Sequence, residues 1–370
     1  MSNFKQLGIS PELIKALAEM GINSPTEVQI KSIPHLLEEN SDFVVQSPTG
    51  TGKTAAFGLP IIAKINSQNS QVQALILTPT RELGIQISKQ LFKFTKYLPE
   101  KIFTEAVYGG EHIVKQMKAL KRPTHIIVAT PGRLMDLCQR KVVDLSNVKT
   151  VVLDEADEML SMGFRKEVDF ILSLIKAKRN TWMFSATMPA EILDLIKMHF
   201  QKGFQKIQVE SKNVVNKNIE HRYIVCDIEE KTNLIFRFLQ SRPKERGVVF
   251  CRTKKGAQRL ASQLKAKNIK TDAIEGDLQQ KERDKVMRAF VNKNIDILVA
   301  TDVAARGIDV KDLGFVIHHQ LPEKEEYYTH RSGRTARAGK EGISIALITP
   351  SEEKYIIGLG KKLGIMIRPL

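Results

Sequence analysis

The sequence predicts an α/β protein of two related domains, each a parallel sheet covered by helices on both faces. Short β-branched runs alternate with amphipathic helical patterns along the 370-residue chain, and near-continuous apolar strands belong to sheets buried on both sides. The length suits two or three domains, and 42% apolar residues are enough for their cores. The chain also repeats itself. Ile126-Ile127-Val128-Ala129-Thr130 recurs as Ile297-Leu298-Val299-Ala300-Thr301, 171 residues on. The strand ending near Thr80-Arg81 has a counterpart ending at Arg252-Thr253, the threonines standing at an offset of 173. Two matches at nearly one offset favour duplication over chance composition.

In the first half, Phe43–Gln46, Ala74–Thr78, His125–Ala129, Val151–Leu153 and Thr181–Phe184 read as strands. In the second, Tyr223–Cys226, Gly247–Cys251, Ile295–Ala300, Phe315–His318 and Ile343–Ile348 do so. The polar stretch 211–218 between them reads as a linker, which sets domains at 1–210 and 219–370. The last strand is expected to close the core, with only about twenty residues of the sequence after it. Met1 to Met20 is a polar helical pattern, unlike a signal peptide. The longest apolar runs fall far short of the roughly 18 residues of a membrane span.

Composition excludes whole classes. With 26% charged and 6% aromatic residues and no Gly/Ser/Pro tract, the chain is neither disordered, collagenous nor a coiled coil. Three scattered cysteines give no disulfide framework or zinc site, so a reducing cytoplasmic setting is expected. The net charge is +16, with +5 up to residue 210 and +11 beyond it. It is not concentrated on one amphipathic helix, so a polyanion spanning both halves fits better than a membrane.

Ser47-Pro48-Thr49-Gly50-Thr51-Gly52-Lys53-Thr54 directly follows a strand and opens a helix. That is the context of a phosphate-binding loop, whose backbone N–H groups wrap phosphates at a helix N-terminus. Lys53 would reach the β- and γ-phosphates of ATP, and the Thr54 hydroxyl would ligate Mg²⁺. Ser47 stands where the general pattern has Gly. A second acidic element follows the strand Val151–Leu153: Asp154, placed to hold Mg²⁺, and Glu155, placed to orient or deprotonate the attacking water. Ser185 and Thr187 offer hydroxyls to the carboxylates of this cluster, which runs to Asp157. An acidic cluster after a strand is by itself more often a solvated helix N-terminus, and the pairing with the phosphate loop is what favours catalysis.

Asp154-Glu155-Ala156-Asp157, together with these elements, resembles the DEAD-box family of ATP-dependent RNA helicases, in helicase superfamily 2. The likeness runs in the family's order from Phe4 to about residue 350. It implies two RecA-like domains that close together on ATP and single-stranded RNA. Phe4 and the segment Gly21–Gln29 resemble the family's adenine-reading element. Gln29 would give and accept a hydrogen bond at the base, and Ile22 stands where an aromatic is usual. Arg81, Gly110, Thr130 and Arg133 fall at RNA-backbone positions of the first domain; Thr253, Gly276 and Thr301 fall at those of the second. Asp302 matches a contact to the ATP ribose or the interdomain site. Arg334 and Arg337 correspond to the family's arginine fingers on the γ-phosphate, and Asp157, Ser185, Thr187 and His330 to residues that couple the two ligands. The family has Gly where Ala336 stands and a bulkier apolar residue where Ser332 stands.

The resemblance implies an RNA-stimulated ATPase that melts short duplexes locally, contacts backbone with little sequence preference, and acts without a membrane, as a monomer. Two other readings share the engine: a DNA-directed helicase, disfavoured by the Asp154–Asp157 spelling and Gln29, and an ATP-dependent RNA clamp that barely unwinds. A catalytically dead binding module is disfavoured because Lys53, Glu155, Arg334 and Arg337 are all present.

Overall fold

A computed structural model describes residues 3–38, 41–48, 50–209, 218–305, 313–323, 325–336 and 340–370, with backbone alone at 303 and 326. The chain forms two compact units, Met1–Glu210 and Ser211–Leu370. In the first, α1 (Pro11–Glu19) and α2 (Glu27–Glu38) precede β1 (Phe43–Gln46), α3 (Lys53–Lys64), β2 (Ala74–Leu77), α4 (Arg81–Phe94), β3 (Thr104–Val107) and α5 (Ile113–Ala119). Then come β4 (Ile126–Ala129), α6 (Pro131–Gln139), β5 (Thr150–Asp154), α7 (Ala156–Ser161), α8 (Arg165–Leu174), β6 (Asn180–Ser185), α9 (Ala190–His199) and β7 (Gln205–Gln208). The second unit runs β8 (Ile219–Val225), α10 (Lys231–Ser241), β9 (Gly247–Phe250), α11 (Lys254–Ala266), β10 (Thr271–Ile274), α12 (Gln280–Val291) and β11 (Ile297–Ala300). It ends with α13 (Asp302–Ala305), β12 (Phe315–His318), α14 (Glu325–Ser332), β13 (Gly342–Ile348), α15 (Glu353–Leu363) and β14 (Ile367–Pro369).

Each unit holds one seven-stranded parallel sheet. The orders are β3-β4-β2-β5-β6-β1-β7 and β10-β11-β9-β12-β13-β8-β14. Advancing every strand of the first order by seven gives the second, so the repeat read from sequence extends to the whole topology. Inner strands such as β2, β4 and β11 are buried throughout, because helices cover both faces. The covering helices bury single stripes. Leu83, Ile87, Leu91 and Phe94 line the buried side of α4, and Ala257, Leu260, Ala261 and Leu264 that of α11. Thr80 and Thr253 cap these two helices alike, each accepting a hydrogen bond from the N–H three residues on. Both units thus carry an apolar layer on each side of their sheet.

Three sequence expectations change. The core does not close at β13: α15 follows, and β14 then pairs with β8 at the sheet edge. β8 begins at Ile219, four residues before the expected start, and its residues alternate in burial rather than forming one apolar run. Of the linker, 211–217 lies outside the described residues, while the Asn218 carbonyl accepts from Gly342 N–H at 2.9 Å and belongs to the sheet. Among the described residues, no helix is long and apolar enough to cross a membrane.

Candidate active site

All strands of a parallel sheet point one way, so the segments leaving β1, β5 and β6 gather at one edge. Ser47 N–H donates to the Ser185 carbonyl at 2.9 Å and ties the loop after β1 to the end of β6. The loop turns through Gly50 (φ +79°) and Gly52 (φ +92°). A Cβ on Gly52 would stand 2.5 Å from Gln29 Nε2, so only glycine allows both this turn and this approach. Thr51 Oγ1 donates to the Pro48 carbonyl at 3.0 Å and lies 3.3 Å from Ser47 Oγ. Thr49 lies outside the described residues. Lys53 opens α3, buried at 7% exposure, with its Nζ donating to the Ser47 carbonyl at 3.3 Å. Thr54 follows it. Amides without intrahelical partners at the start of a twelve-residue helix make this loop a cradle for anionic oxygen.

β5 delivers the carboxylates. Asp154 is 2% exposed, and its Oδ1 accepts from Glu155 N–H at 3.1 Å. Burial pushes its carboxyl up to about 7; the Lys53 charge opposes that and the Glu155 charge adds to it. Lys53 and Asp154 are therefore electrostatic neighbours. Glu155 sits in the left-handed region at φ 51°, ψ 51°, a conformation that costs a non-glycine residue roughly 1–2 kcal/mol and that turns the chain from strand to α7. Asp157 Oδ2 accepts twice from Thr187, from its N–H at 2.9 Å and from its hydroxyl at 2.8 Å. Of the two hydroxyls expected on carboxylates, Thr187 reaches one. Ser185 does not; its Oγ accepts from Asp157 N–H at 3.2 Å and donates to the Thr187 carbonyl at 2.8 Å.

Gln29, at 2% exposure, donates from Nε2 to the Gly52 carbonyl and accepts at Oε1 from Thr26 N–H, both at 3.0 Å. These bonds use one amide hydrogen and one lone pair and leave one of each. Ile22 packs half-buried against the first core. Phe4, expected among the nucleotide-binding residues, is a core residue at 3% exposure in the same apolar layer.

At the ends of β2, β3 and β4 the expected RNA residues come together. The Arg81 guanidinium lies 4.8 Å from the centre of the Tyr108 ring, next to Gly109 and Gly110, with Gly110 at φ +78°. Arg133 donates from both terminal nitrogens to the Glu111 carbonyl at 3.0 Å. Thr130 N–H donates to the Val107 carbonyl at 3.0 Å.

The second unit repeats this edge. Thr301 N–H donates to the Ile274 carbonyl as Thr130 does to Val107. The Thr253 hydroxyl caps α11. At Gly276 a Cβ would meet Lys254 Cε at 3.2 Å, and Lys254 itself pairs with Asp277. Asp302 faces inward: Oδ1 accepts from Arg331 Nε at 2.5 Å and Oδ2 from its terminal nitrogen at 2.7 Å. Arg331, 2% exposed, also donates to the Gln320 carbonyl at 2.8 Å. No spacing in the sequence distinguishes Arg331 from the later arginines of the same segment. His330 offers its carbonyl to Arg334 Nε at 3.3 Å. Arg337 lies outside the described residues.

Both departures in this segment have structural counterparts. The Ser332 hydroxyl donates to the Tyr328 carbonyl at 2.8 Å, beside Ser344 Oγ at 2.8 Å and His318 Nε2 at 3.4 Å. The polar side chain is thus met by polar partners. Burial holds the His318 imidazole well below the usual histidine range, and the Arg331 charge adds to that, so the ring is neutral among them. Ala336 stands at φ +55°, where glycine is favoured, buried at 2% exposure.

Residues 26–195 match the DEAD/DEAH box helicase family model, and residues 230–339 match the helicase conserved C-terminal domain. The chain is 43% identical over 352 residues to the DEAD-box ATP-dependent RNA helicase CshA of Geobacillus kaustophilus, covering 95% of this chain and 74% of that one. The chain belongs to the DEAD-box family of ATP-dependent RNA helicases. It spans 66% of the length of the 42% identical Bacillus cereus relative of that name. Among solved structures it is similar to S. cerevisiae Dbp5 bound to RNA and ADP BeF3, at 28% identity and TM-score 0.91, covering all of this chain and 96% of that one. It is also similar to Mss116p bound to ssRNA and AMP-PNP, at 29% identity and TM-score 0.86, covering all of this chain and 80% of that one. The two sheets are the tandem RecA-like domains of this helicase family, whose members hydrolyse ATP.

Proposed function

We propose that this chain hydrolyses ATP in an RNA-stimulated manner, with its nucleotide chemistry divided between the two units. The observation that carries this is the cluster at the β1–β5–β6 edge, where a glycine-shaped loop and the buried Lys53 stand beside the desolvated Asp154. Lys53 neutralises phosphate charge. Gln29, fixed to the Gly52 carbonyl, keeps a donor and an acceptor for the adenine edge. Hydroxyl and carboxylate oxygens from Thr54 and Asp154 suit Mg²⁺, a hard cation that takes few protein ligands and shares phosphate oxygens. When bound, that ion supplies charge neutralisation on the phosphates. Glu155 orients and deprotonates the attacking water. Arg334 and Arg337, in the second unit, stabilise charge on the γ-phosphate.

Turnover then needs both units. Residues 1–210 alone are expected to bind nucleotide weakly and hydrolyse it barely, with or without RNA. A colorimetric phosphate assay on that fragment and the whole chain tests this; comparable RNA-stimulated rates from the fragment would sink the division of labour.

RNA recognition rests on Arg81, Gly110, Thr130 and Arg133 in one unit and Thr253, Gly276 and Thr301 in the other. These are side chains and amides suited to phosphate and 2′-OH contact rather than base edges. With a net charge of +16, affinity for single-stranded RNA is expected to fall with salt, log K changing by about −0.7 per neutralised phosphate in log[salt]. Homopolymers should bind alike and matched DNA more weakly. Filter binding across a salt series reads this, and a flat salt response or a strong base preference would overturn it. Strand separation of a short RNA duplex distinguishes a helicase from a clamp.

A further inference from the structure

The repeat of the sheets extends to the nucleotide loop. Ser47 follows β1 and donates its N–H to the Ser185 carbonyl at 2.9 Å; Cys226 follows β8 and donates its N–H to the Ile348 carbonyl at 2.9 Å. β8, β12 and β13 thus occupy in the second sheet the places of β1, β5 and β6 in the first. Lys53 is the first residue of α3, and Lys231 is the first residue of α10. The intervening loop differs. Cys226-Asp227-Ile228-Glu229-Glu230 contains no glycine and three acids, so it offers phosphate no cradle. Where β5 runs into Asp154 and Glu155, β12 runs into His319 and Gln320 at the matching register positions.

Lys231 is nevertheless as buried as its counterpart, at 3% exposure, and an ammonium is rarely placed there without partners. Its Nζ donates to the Leu347 carbonyl at 2.7 Å and to the His319 carbonyl at 3.1 Å, the ends of β13 and β12. The segment it grips is a junction. Gln320 Oε1 accepts from Arg252 N–H at 3.0 Å, and the Leu321 carbonyl accepts from the Arg252 guanidinium at 2.9 Å. The Gln320 carbonyl accepts from Arg331, which binds Asp302 through both carboxylate oxygens. One helical residue after Arg331 the chain leaves α14 toward Arg334.

We infer that Lys231 is a positioning residue for ATP turnover, a phosphate-loop lysine turned inward that grips carbonyls of its own unit in place of phosphates. By fixing His319–Leu321 it holds Arg252, Arg331 and Asp302, and through Arg331 the segment that carries Arg334. This rests on the role proposed above for Arg334, and it concerns turnover rather than nucleotide affinity, because the binding loop belongs to the other unit.

The test is Lys231→Met in the whole chain, with Lys53→Met beside it. Methionine fills the same volume, and removing a buried charge relieves its desolvation. The Leu347 and His319 carbonyls lose a donor at the same time, which opposes that relief, so the thermal midpoint is expected to change little. RNA-saturated kcat should fall about tenfold or more while the KM for ATP stays within about threefold. Lys53→Met should instead lose ATP binding itself. If Lys231→Met does not fold, the same split is read on Lys231→Gln, whose amide keeps two donors. Unchanged kcat, a raised KM with kcat retained, or a loss that tracks the thermal midpoint overturns the inference. A wild-type chain without RNA-stimulated turnover sinks the parent reading and this inference with it, whereas an active wild type with an unaffected Lys231→Met sinks the inference alone.

Discussion

Glu155→Gln will keep ATP and RNA binding and lose about a hundredfold or more in RNA-stimulated turnover, the usual contribution of a positioned general base. The amide is nearly isosteric with the carboxylate, and the left-handed backbone at φ 51° is the same for both side chains. The fold and its local strain are therefore unchanged. Electrostatics argue that nucleotide affinity holds or improves. The Glu155 charge is among the influences that raise the buried Asp154 carboxyl to about 7. Removing it lowers that carboxyl, because Lys53 still favours the charged form that a cation requires, while burial and the Asp157 charge continue to oppose it. The variant should therefore accumulate a stable complex with ATP and RNA. The measurement is single-turnover hydrolysis at saturating RNA, paired with equilibrium binding of a fluorescent ATP analogue. A hundredfold loss corresponds to about 2.7 kcal/mol of transition-state stabilisation. Full activity would move the catalytic base away from Glu155.

The loop and carboxylates gathered at the ends of β1, β5 and β6 were legible in the sequence for a physical reason. A loop that wraps phosphate must follow a buried strand and open a helix, and it needs glycine where φ is positive. All of this is local, as at Gly50, Gly52 and Lys53. The inner strands were legible for the same reason, since burial on both faces produces continuous apolar runs. β3, β7, β10 and β14 were not, and all four are edge strands. Edge strands lie half-exposed, as in Gln205–Gln208, so their residues carry no such run. Contacts between distant segments were equally hidden. The resemblance places Gln29 at the adenine edge, but its grip on the Gly52 carbonyl spans 23 residues and shows in no spacing. Arg331 and Asp302 lie 29 residues apart and declare themselves only when β11 and β12 deliver them to one edge. Ser332, on α14, reads as a departure from the family because its compensating partners, His318 and Ser344, lie on two strands remote in sequence.

Replacing Arg334 or Arg337 with lysine will lower RNA-saturated turnover by on the order of 10³-fold, with ATP affinity held within a few-fold. Lysine retains the charge and discards the planar fork that matches phosphate oxygens in pairs. The fork is already oriented at Arg334, whose Nε donates to the His330 carbonyl at 3.3 Å and so aligns the guanidinium along the end of α14; an ammonium has no second nitrogen to carry onward. The backbone between the two arginines supports the same reading. Ala336 is held at φ +55°, a conformation that a methyl group disfavours by roughly 1–2 kcal/mol. Strain of that kind persists only where the surroundings over-determine it, and here the residue is buried at 2% exposure rather than lying on a free loop. A solvated basic face would need no such turn and would tolerate lysine, because exposed charges contribute about 0–1 kcal/mol. Phosphate release measured at saturating RNA and ATP separates the two: a loss well beyond about tenfold with retained affinity requires a directed guanidinium, and near-normal turnover in both variants would return the segment to the solvated face.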